Sequence, residues 1–179
     1  MDIYSDKRVV LTLDAGGTNL VFNAFKGGKP IIQGIRKDAH ANDLERCLAN
    51  MKAGFYEVMQ DIDQTAVAIS FAFPGPADYS NGIIDNSNNL PAFKGGVPLK
   101  SILEEEFGLP VFINNDGDLF AYGEALGGIL TEINARLEAS GSPKRYRNLV
   151  GFTLGTGFGG GFVSDGQLII GDNSTAAEV

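Results

Sequence analysis

Apolar residues run together at Val9-Val10-Leu11-Thr12-Leu13 and again at Leu20-Val21-Phe22-Asn23-Ala24-Phe25, a pattern that predicts two strands. Only Asp14-Ala15-Gly16-Gly17-Thr18 and Asn19 lie between them, too few for a crossover, so the two strands must be antiparallel neighbours. Gly27-Gly28 then turns the chain into a third strand around residues 30–35. From 42 to 62 the period changes. Leu44, Leu48, Met51, Phe55, Val58 and Ile62 recur at steps of four and three, which is one face of a helix. Asn42 and Glu45 supply a capping-box start. Gly54 inside this helix costs roughly 1 kcal/mol relative to Ala, which implies a close backbone contact there.

Residues 66–72 form a short apolar strand, followed by a long polar loop rich in Gly, Asn and Pro. Pro98 at a first turn, then Leu99, Ile102, Leu103 and Phe107 facing inward, with Gly108 as the stop, define a second helix. Pro110-Val111-Phe112-Ile113 is a strand that runs straight into Asn114-Asn115-Asp116-Gly117-Asp118. The helix that follows extends to about Leu130, and Ala121, Gly123, Ala125 and Gly127 give it a small-residue face. Ile133 and Leu137 continue it until Gly141-Ser142-Pro143. The order is β-β-β-α-β-α-β-α, an α/β fold. A strand over 149–154 then meets a second Gly-rich turn, and Phe162-Val163 and Leu168-Ile169-Ile170 flank Asp165-Gly166, a hairpin signal. The only candidate linker is 139–147. Leu13 to Val21 and Leu154 to Phe162 share one pattern, strand, Gly-rich turn, strand, at a separation far too long for a solenoid repeat. The repetition predicts two related domains. The first covers 1–118. The second is incomplete, its connecting helices and opening hairpin occupying 119–179.

Composition narrows the classes of function. A chain of 179 residues, 44% hydrophobic and 20% charged, can bury an ordinary core. Its net charge of -8 and pI near 4.6 argue against a nucleic-acid partner, which would need clustered Lys and Arg. Lys144, Arg145 and Arg147 read as a solvated loop. The single cysteine, Cys47, excludes an internal disulfide and falls at a core-facing helical position. The single histidine, His40, cannot build a metal site or a Ser/His/Asp relay alone, and reads as inert in a polar loop. No basic segment precedes an apolar run at the N-terminus and no apolar run is long enough to span a bilayer, so a soluble, cytoplasmic protein with no membrane partner is expected.

Three segments carry candidate chemistry. Glycines in Asp14-Ala15-Gly16-Gly17-Thr18 let backbone N–H groups approach a phosphate, Thr adds a donor, and an Asp at a strand end can hold a hydrated Mg²⁺. The same residues also suit a plain hairpin turn. Gly155-Thr156-Gly157-Phe158-Gly159-Gly160 matches G-x-G-x-x-G, but a hairpin follows where a dinucleotide fold needs a helix, and no P-loop pattern exists. A second phosphate-binding turn is what remains, with a structural Gly-rich turn as its alternative. Asn115-Asp116 stands where a strand becomes a helix, a place for a catalytic carboxylate or simply for a helix cap. The loop from Pro74-Gly75-Pro76 to Asn89-Leu90 offers amides suited to neutral, multiply hydrogen-bonding ligands such as sugars, or to a surface loop.

These pieces in this order resemble the ROK family (repressors, open reading frames and kinases), which has the actin-like ATPase, ribonuclease H-like fold. The likeness rests on Asp14 to Thr18, Pro74-Gly75-Pro76, Asn89-Leu90, Asn115-Asp116 and Leu154 to Gly161. It implies ATP-dependent phosphorylation of a hexose, at the 6-hydroxyl, with Mg²⁺. Asp14, Gly16, Gly17, Thr18 and Asn19 would face the nucleotide phosphates, and Gly155, Thr156, Gly157, Gly159 and Gly160 would form the opposing clamp. Gly75, Asn89, Asn115 and Glu178 would line the sugar site, and Asp116 would act as general base. Glucose, mannose, fructose, N-acetylated hexosamines and allose all fit such a pocket, and a homodimer is compatible with the resemblance.

The departures from the family pattern are a Glu178 not followed by Gly-His, no Cys-rich zinc motif, no adenine-binding portion, and an insertion at 131–147. They imply a chain truncated before the C-terminal part. The alternatives are a sugar-sensing regulator of the same family, which would carry a helix-turn-helix before the first Gly-rich turn, and a non-catalytic sugar-binding module.

Overall fold

The computed structural model describes residues 3–75, 77–85, 90–154, 158–172 and 176. In chain order the regular elements are β1 (Val9–Ala15), β2 (Asn19–Lys26), β3 (Lys29–Pro30), β4 (Ile35–Asp38), α1 (Leu44–Asp61), β5 (Ala66–Ala72), β6 (Ala77–Asp78), β7 (Ile83–Ile84), α2 (Leu99–Phe107), β8 (Val111–Asn114), α3 (Asp116–Leu126), α4 (Ile129–Ala139), β9 (Leu149–Leu154), β10 (Phe158–Ser164) and β11 (Gln167–Leu168). Two compact units divide the chain, Met1–Asn114 and Asn115–Val179. The sequence reading drew its boundary four residues later, after Asp118. The helix that begins at Asp116 packs against β9, β10 and α4, so the break falls before that helix rather than inside it.

In the first unit the strands run β3-β2-β1-β5-β8, with β4 also on β2; β1 is antiparallel to β2 and parallel to β5, and β5 is parallel to β8. Alternation sets the faces. Val9, Leu11, Leu13 and Ala15 are buried, and the register lines them up with Leu20, Phe22 and Ala24 on one side and Ile69 and Phe71 on the other. Met51, Phe55 and Val58 from α1 and Leu99 and Leu103 from α2 complete this core. Phe22 and Phe55 meet edge to face with centroids 5.1 Å apart, a favoured aromatic arrangement. On the outer side of the two helices, the Lys52 ammonium and the Tyr56 hydroxyl both bond Glu106, holding that carboxyl below its ordinary range. Cys47 is fully buried, and burial pushes its thiol up to about 11, with Asp38 and Asp43 adding to the shift.

Several boundaries differ from those expected. The third strand is split into β3 and β4: beyond Pro30 the Ile31 N–H still donates to the Ala24 carbonyl at 2.8 Å, and β4 resumes the pairing with β2 from Ile35. Helix α1 is capped by Asp43, whose carboxylate accepts the Arg46 N–H, and not by a box on Asn42. Pro98 is the N-cap of α2, and Gly108 closes that helix at φ +63° as anticipated. The polar loop after β5 holds the β6–β7 ribbon, anchored by buried Tyr79, whose hydroxyl donates to the Phe73 carbonyl.

In the second unit, α3 lies on the β9–β10 hairpin. The helix expected to reach Leu130 stops at Leu126 and restarts as α4, because Gly127-Gly128 intervenes and Glu124 accepts the Ile129 N–H. The suspected linker at 139–147 is held by reciprocal bonds between the Asn134 side chain and the Tyr146 backbone, and joins α4 to β9 within one unit. Asp165 and Gly166, at φ +49° and +76°, make the turn into β11, as the Asp-Gly pair implied.

Close approach explains the two glycine sites that matter most. A Cβ at Gly54 would stand 2.3 Å from the Phe22 ring, and one at Gly161 would stand 2.6 Å from Ala121 Cβ and 2.9 Å from the Gly117 carbonyl oxygen. Gly123, by contrast, faces open space. Gly54→Ala gains roughly 1 kcal/mol of helix propensity but overpacks the Phe22 contact, so a net loss of about 1–2 kcal/mol is expected. The matching thermal midpoint falls by roughly 2–4 °C per kcal/mol, and Phe22→Leu in the same chain recovers part of the loss. In the second unit Gly161→Ala is expected to cost about 3 kcal/mol, whereas Gly123→Ala stabilises by about 0.5–1 kcal/mol. Circular-dichroism melting distinguishes the two; equal midpoints would show that the α3 contact is not as tight as described.

Candidate functional site

The carboxyl ends of parallel strands are where ligands bind in open α/β sheets, and here β1, β5 and β8 end side by side. The ladder places Val21, Asp14, Ala72 and Asn114 in one row, on the face opposite the buried Leu13 and Phe71. Asp14 is exposed, and Asn114 lies on the same face two strands away, roughly 9.5 Å at ordinary strand spacing. The row behind it is Asn23, Thr12, Ser70 and Phe112, so the positions nearest Asp14 in that row, Asn23, Thr12 and Ser70, are small or polar. Sequence reasoning assigned no role to Thr12, Ser70 or Asn114. The alternation along each strand carried the signal, since these positions interrupt otherwise apolar runs.

Beyond Asp14 the chain reverses. The Gly16 N–H donates to the Asn19 carbonyl at 3.0 Å, and a Cβ on Gly16 would stand 3.3 Å from that oxygen. Gly17 and Thr18 are exposed. The Thr18 carbonyl accepts the Ala39 N–H at 2.9 Å, so the turn is tied to the strand beside it. Asp14, Gly16, Gly17, Thr18 and Asn19 are thus brought together at one exposed tip. Among the described residues no three His, Cys, Asp or Glu cluster as a metal cage. A lone Asp14 at a strand end suits Mg²⁺, which keeps most of its waters and is held by one or two carboxylates plus phosphate oxygens.

In the second unit, Asn115 is the N-cap of α3: its side-chain oxygen accepts from Gly117 N–H at 2.8 Å and Asp118 N–H at 3.2 Å. Asp116 occupies the first helical position with its residue exposed, and its own Oδ1 also receives the Gly117 N–H at 3.0 Å. Capping does not require Asp116, because Asn115 performs it. Asp118, two residues on, is the one buried charged or polar side chain among the described residues, and the sequence reading assigned it no role.

Gly159 and Gly160 lie inside strand β10. A Cβ on Gly117 would stand 2.7 Å from the Gly160 oxygen and 2.9 Å from its nitrogen, so the first turn of α3 rests directly on this strand. Packing therefore requires glycine at Gly117 and Gly161 whatever the neighbouring turn binds. Asp116 stands one residue before this contact, at the start of α3. Gly75 is half-buried at the bend after β5. Gly155, Thr156, Gly157, Asn89 and Glu178 lie outside the described residues.

The chain is 31% identical over 169 residues to an N-acetyl-D-glucosamine kinase of Vibrio cholerae, covering 93% of this chain and 50% of that protein. To a glucokinase of Thermotoga maritima it is 28% identical over 174 residues, covering 97% and 50%. The crystal structure of a glucokinase from Parabacteroides distasonis superposes with a TM-score of 0.88 at 57% identity, covering 98% of this chain and 50% of that one. The chain spans about half the length of the curated relatives it matches. The α/β, actin-like ATPase fold expected from the motifs is the fold observed. The ROK family model matches residues 10–179, and the chain belongs to the ROK family.

Proposed function

We propose that this chain supplies the phosphate- and sugar-facing part of an ATP-dependent hexose kinase, with Asp116 as the general base. One observation carries the reading: an exposed carboxylate at the first position of α3, not needed as a cap, on a helix turn seated against Gly160. The attacking sugar oxygen, at the 6-position, forms a bond to the terminal phosphorus of ATP while the bond to the bridging oxygen breaks and ADP departs. Asp116 takes the hydroxyl proton as that bond forms. Such transfer needs chiefly positioning, charge neutralisation and one residue to orient the nucleophile.

Asp14, Gly16, Gly17, Thr18 and Asn19 would face the phosphates, Asp14 being the residue to hold Mg²⁺, which when bound offsets phosphate charge. Gly155, Thr156, Gly157, Gly159 and Gly160 would form the opposing clamp. Gly75, Asn89, Asn115 and Glu178 would contact sugar hydroxyls. Glucose is the first sugar to test, because the 57% identical protein is named a glucokinase; N-acetylglucosamine is the second. A cytoplasmic enzyme with no nucleic-acid or membrane partner, and a homodimer, complete the reading.

The deciding experiment follows sugar-dependent ADP formation with Mg-ATP across a hexose panel, on this chain and on Asp116→Asn. Turnover is expected on one sugar and should fall at least about 100-fold in the variant. Sugar affinity should change by no more than about threefold, as for a group that acts on the transition state and not on ground-state binding. Turnover that survives the substitution removes Asp116 from the role of base. Sugar binding without turnover in the wild-type chain favours a binding module.

A further inference from the structure

From the last residue of β4 toward α1 the chain passes through four residues, 38–41, that grip two other parts of the first unit. Asp38 is the register partner of Asn19 on β2, and one residue on the Ala39 N–H donates to the Thr18 carbonyl at 2.9 Å. The β2–β4 ladder is thereby prolonged to the glycine turn itself, and Ala39 is fully buried there. Two residues further, the Ala41 carbonyl accepts the Ala92 N–H at 3.0 Å. Ala92 belongs to the single 3₁₀ turn Pro91–Phe93, which is anchored by fully buried Leu90 and Phe93. Leu90 directly follows Asn89 in the chain.

His40 makes this double grip geometrically feasible. Its φ of +45° lies in the left-handed region, which only two non-glycine residues adopt among those described. Local bonds hold it there. The His40 N–H donates to Asp38 Oδ1 at 2.7 Å, and His40 Nδ1 lies 3.2 Å from the same oxygen. The His40 carbonyl accepts the N–H of Asp43, the cap of α1, at 2.8 Å, while Asn50 Nδ2 donates to the Asp38 carbonyl at 2.9 Å. A histidine in an inert polar loop needs none of these. Strained backbone persists only where its surroundings over-determine it, and it concentrates at functional sites.

We propose that His40 is a positioning residue, whose left-handed backbone makes residues 38–41 a strap that couples the phosphate-facing turn to the root of the sugar-facing loop. This rests on the kinase reading above, which assigns the ligands at the two ends. A ligand that orders one end of the strap removes freedom at the other, so the second ligand has less to order; the resulting coupling is reciprocal.

Two substitutions separate the strap from a purely structural role. His40→Val puts a β-branched side chain where φ is positive, while His40→Gly accepts that backbone. In calorimetric titrations of this chain, saturating glucose is expected to tighten binding of a non-hydrolysable Mg-ATP analogue about fivefold. The factor should fall to about one in His40→Val and be largely kept in His40→Gly. A factor near one in the wild type, or an unchanged factor in His40→Val, overturns the proposal. Amide exchange provides a ligand-free readout. In His40→Val the Ala39 and Ala92 amides should exchange about tenfold faster together, with Leu11 in the sheet core unchanged. If Ala39 alone responds, or neither does, there is no strap even where both ligands bind. If the wild-type chain binds neither ligand, the kinase reading fails, and the exchange result alone decides the strap.

Discussion

Strand β1 is hydrogen-bonded along both edges, antiparallel to β2 and parallel to β5, and the placement of almost everything else in the first unit depends on that register. Odd positions from Val9 to Ala15 enter the core, and the even position Asp14 is left exposed at the strand's end. A slip of one residue would exchange the two sets, driving a carboxylate into the contact with α1 and α2 and turning Leu13 to solvent. Burial of the odd set is therefore what aims Asp14. The same ladder carries the row across β5 to Asn114, the last residue of β8, which the chain follows with the Asn115 cap and Asp116.

Glycine acts as a second constraint, through distance more than through freedom. Gly54 lets α1 settle against the Phe22 ring, and Gly117, Gly151 and Gly161 let α3 settle against β9 and β10 at backbone separation. The start of α3 is thus fixed by contact on one side and by the Asn115 cap on the other. The backbone that carries Asp116 is thereby held from two sides, which suits the role of base proposed for it.

Much of this was legible from residues alone. The 66–72 and 149–154 strands, the Gly108 stop and the Asp165-Gly166 turn follow from local pattern, because each depends on neighbours close in sequence. The tight contact at Gly54 was legible as a glycine inside a helix, but its partner Phe22 on β2 was not. What else was not legible is either a choice between neighbouring residues of similar type or a matter of distant partners. Nothing near Asn42 announces that Asp43 will be the cap, and nothing near Gly123 distinguishes it from Gly161, although one faces open space and the other a helix. The break at Gly127-Gly128 looked like part of a small-residue face, when it is the point at which Glu124 turns back to receive the Ile129 N–H. At the candidate site, the glycine turn and Asn115-Asp116 were visible as motifs. Thr12, Ser70 and Asn114 became visible only through the register, and His40 only through its backbone angle.

The chain's single thiol has a practical consequence. Cys47 is sealed inside α1's core face, and its proton is held to about 11, so almost none of it is thiolate near neutrality. Maleimides and other alkylating reagents should pass it by while the fold is intact. A cysteine introduced on an exposed surface would then be the sole labelled position, which allows a fluorophore or spin probe to be attached at one chosen site without first removing the native residue.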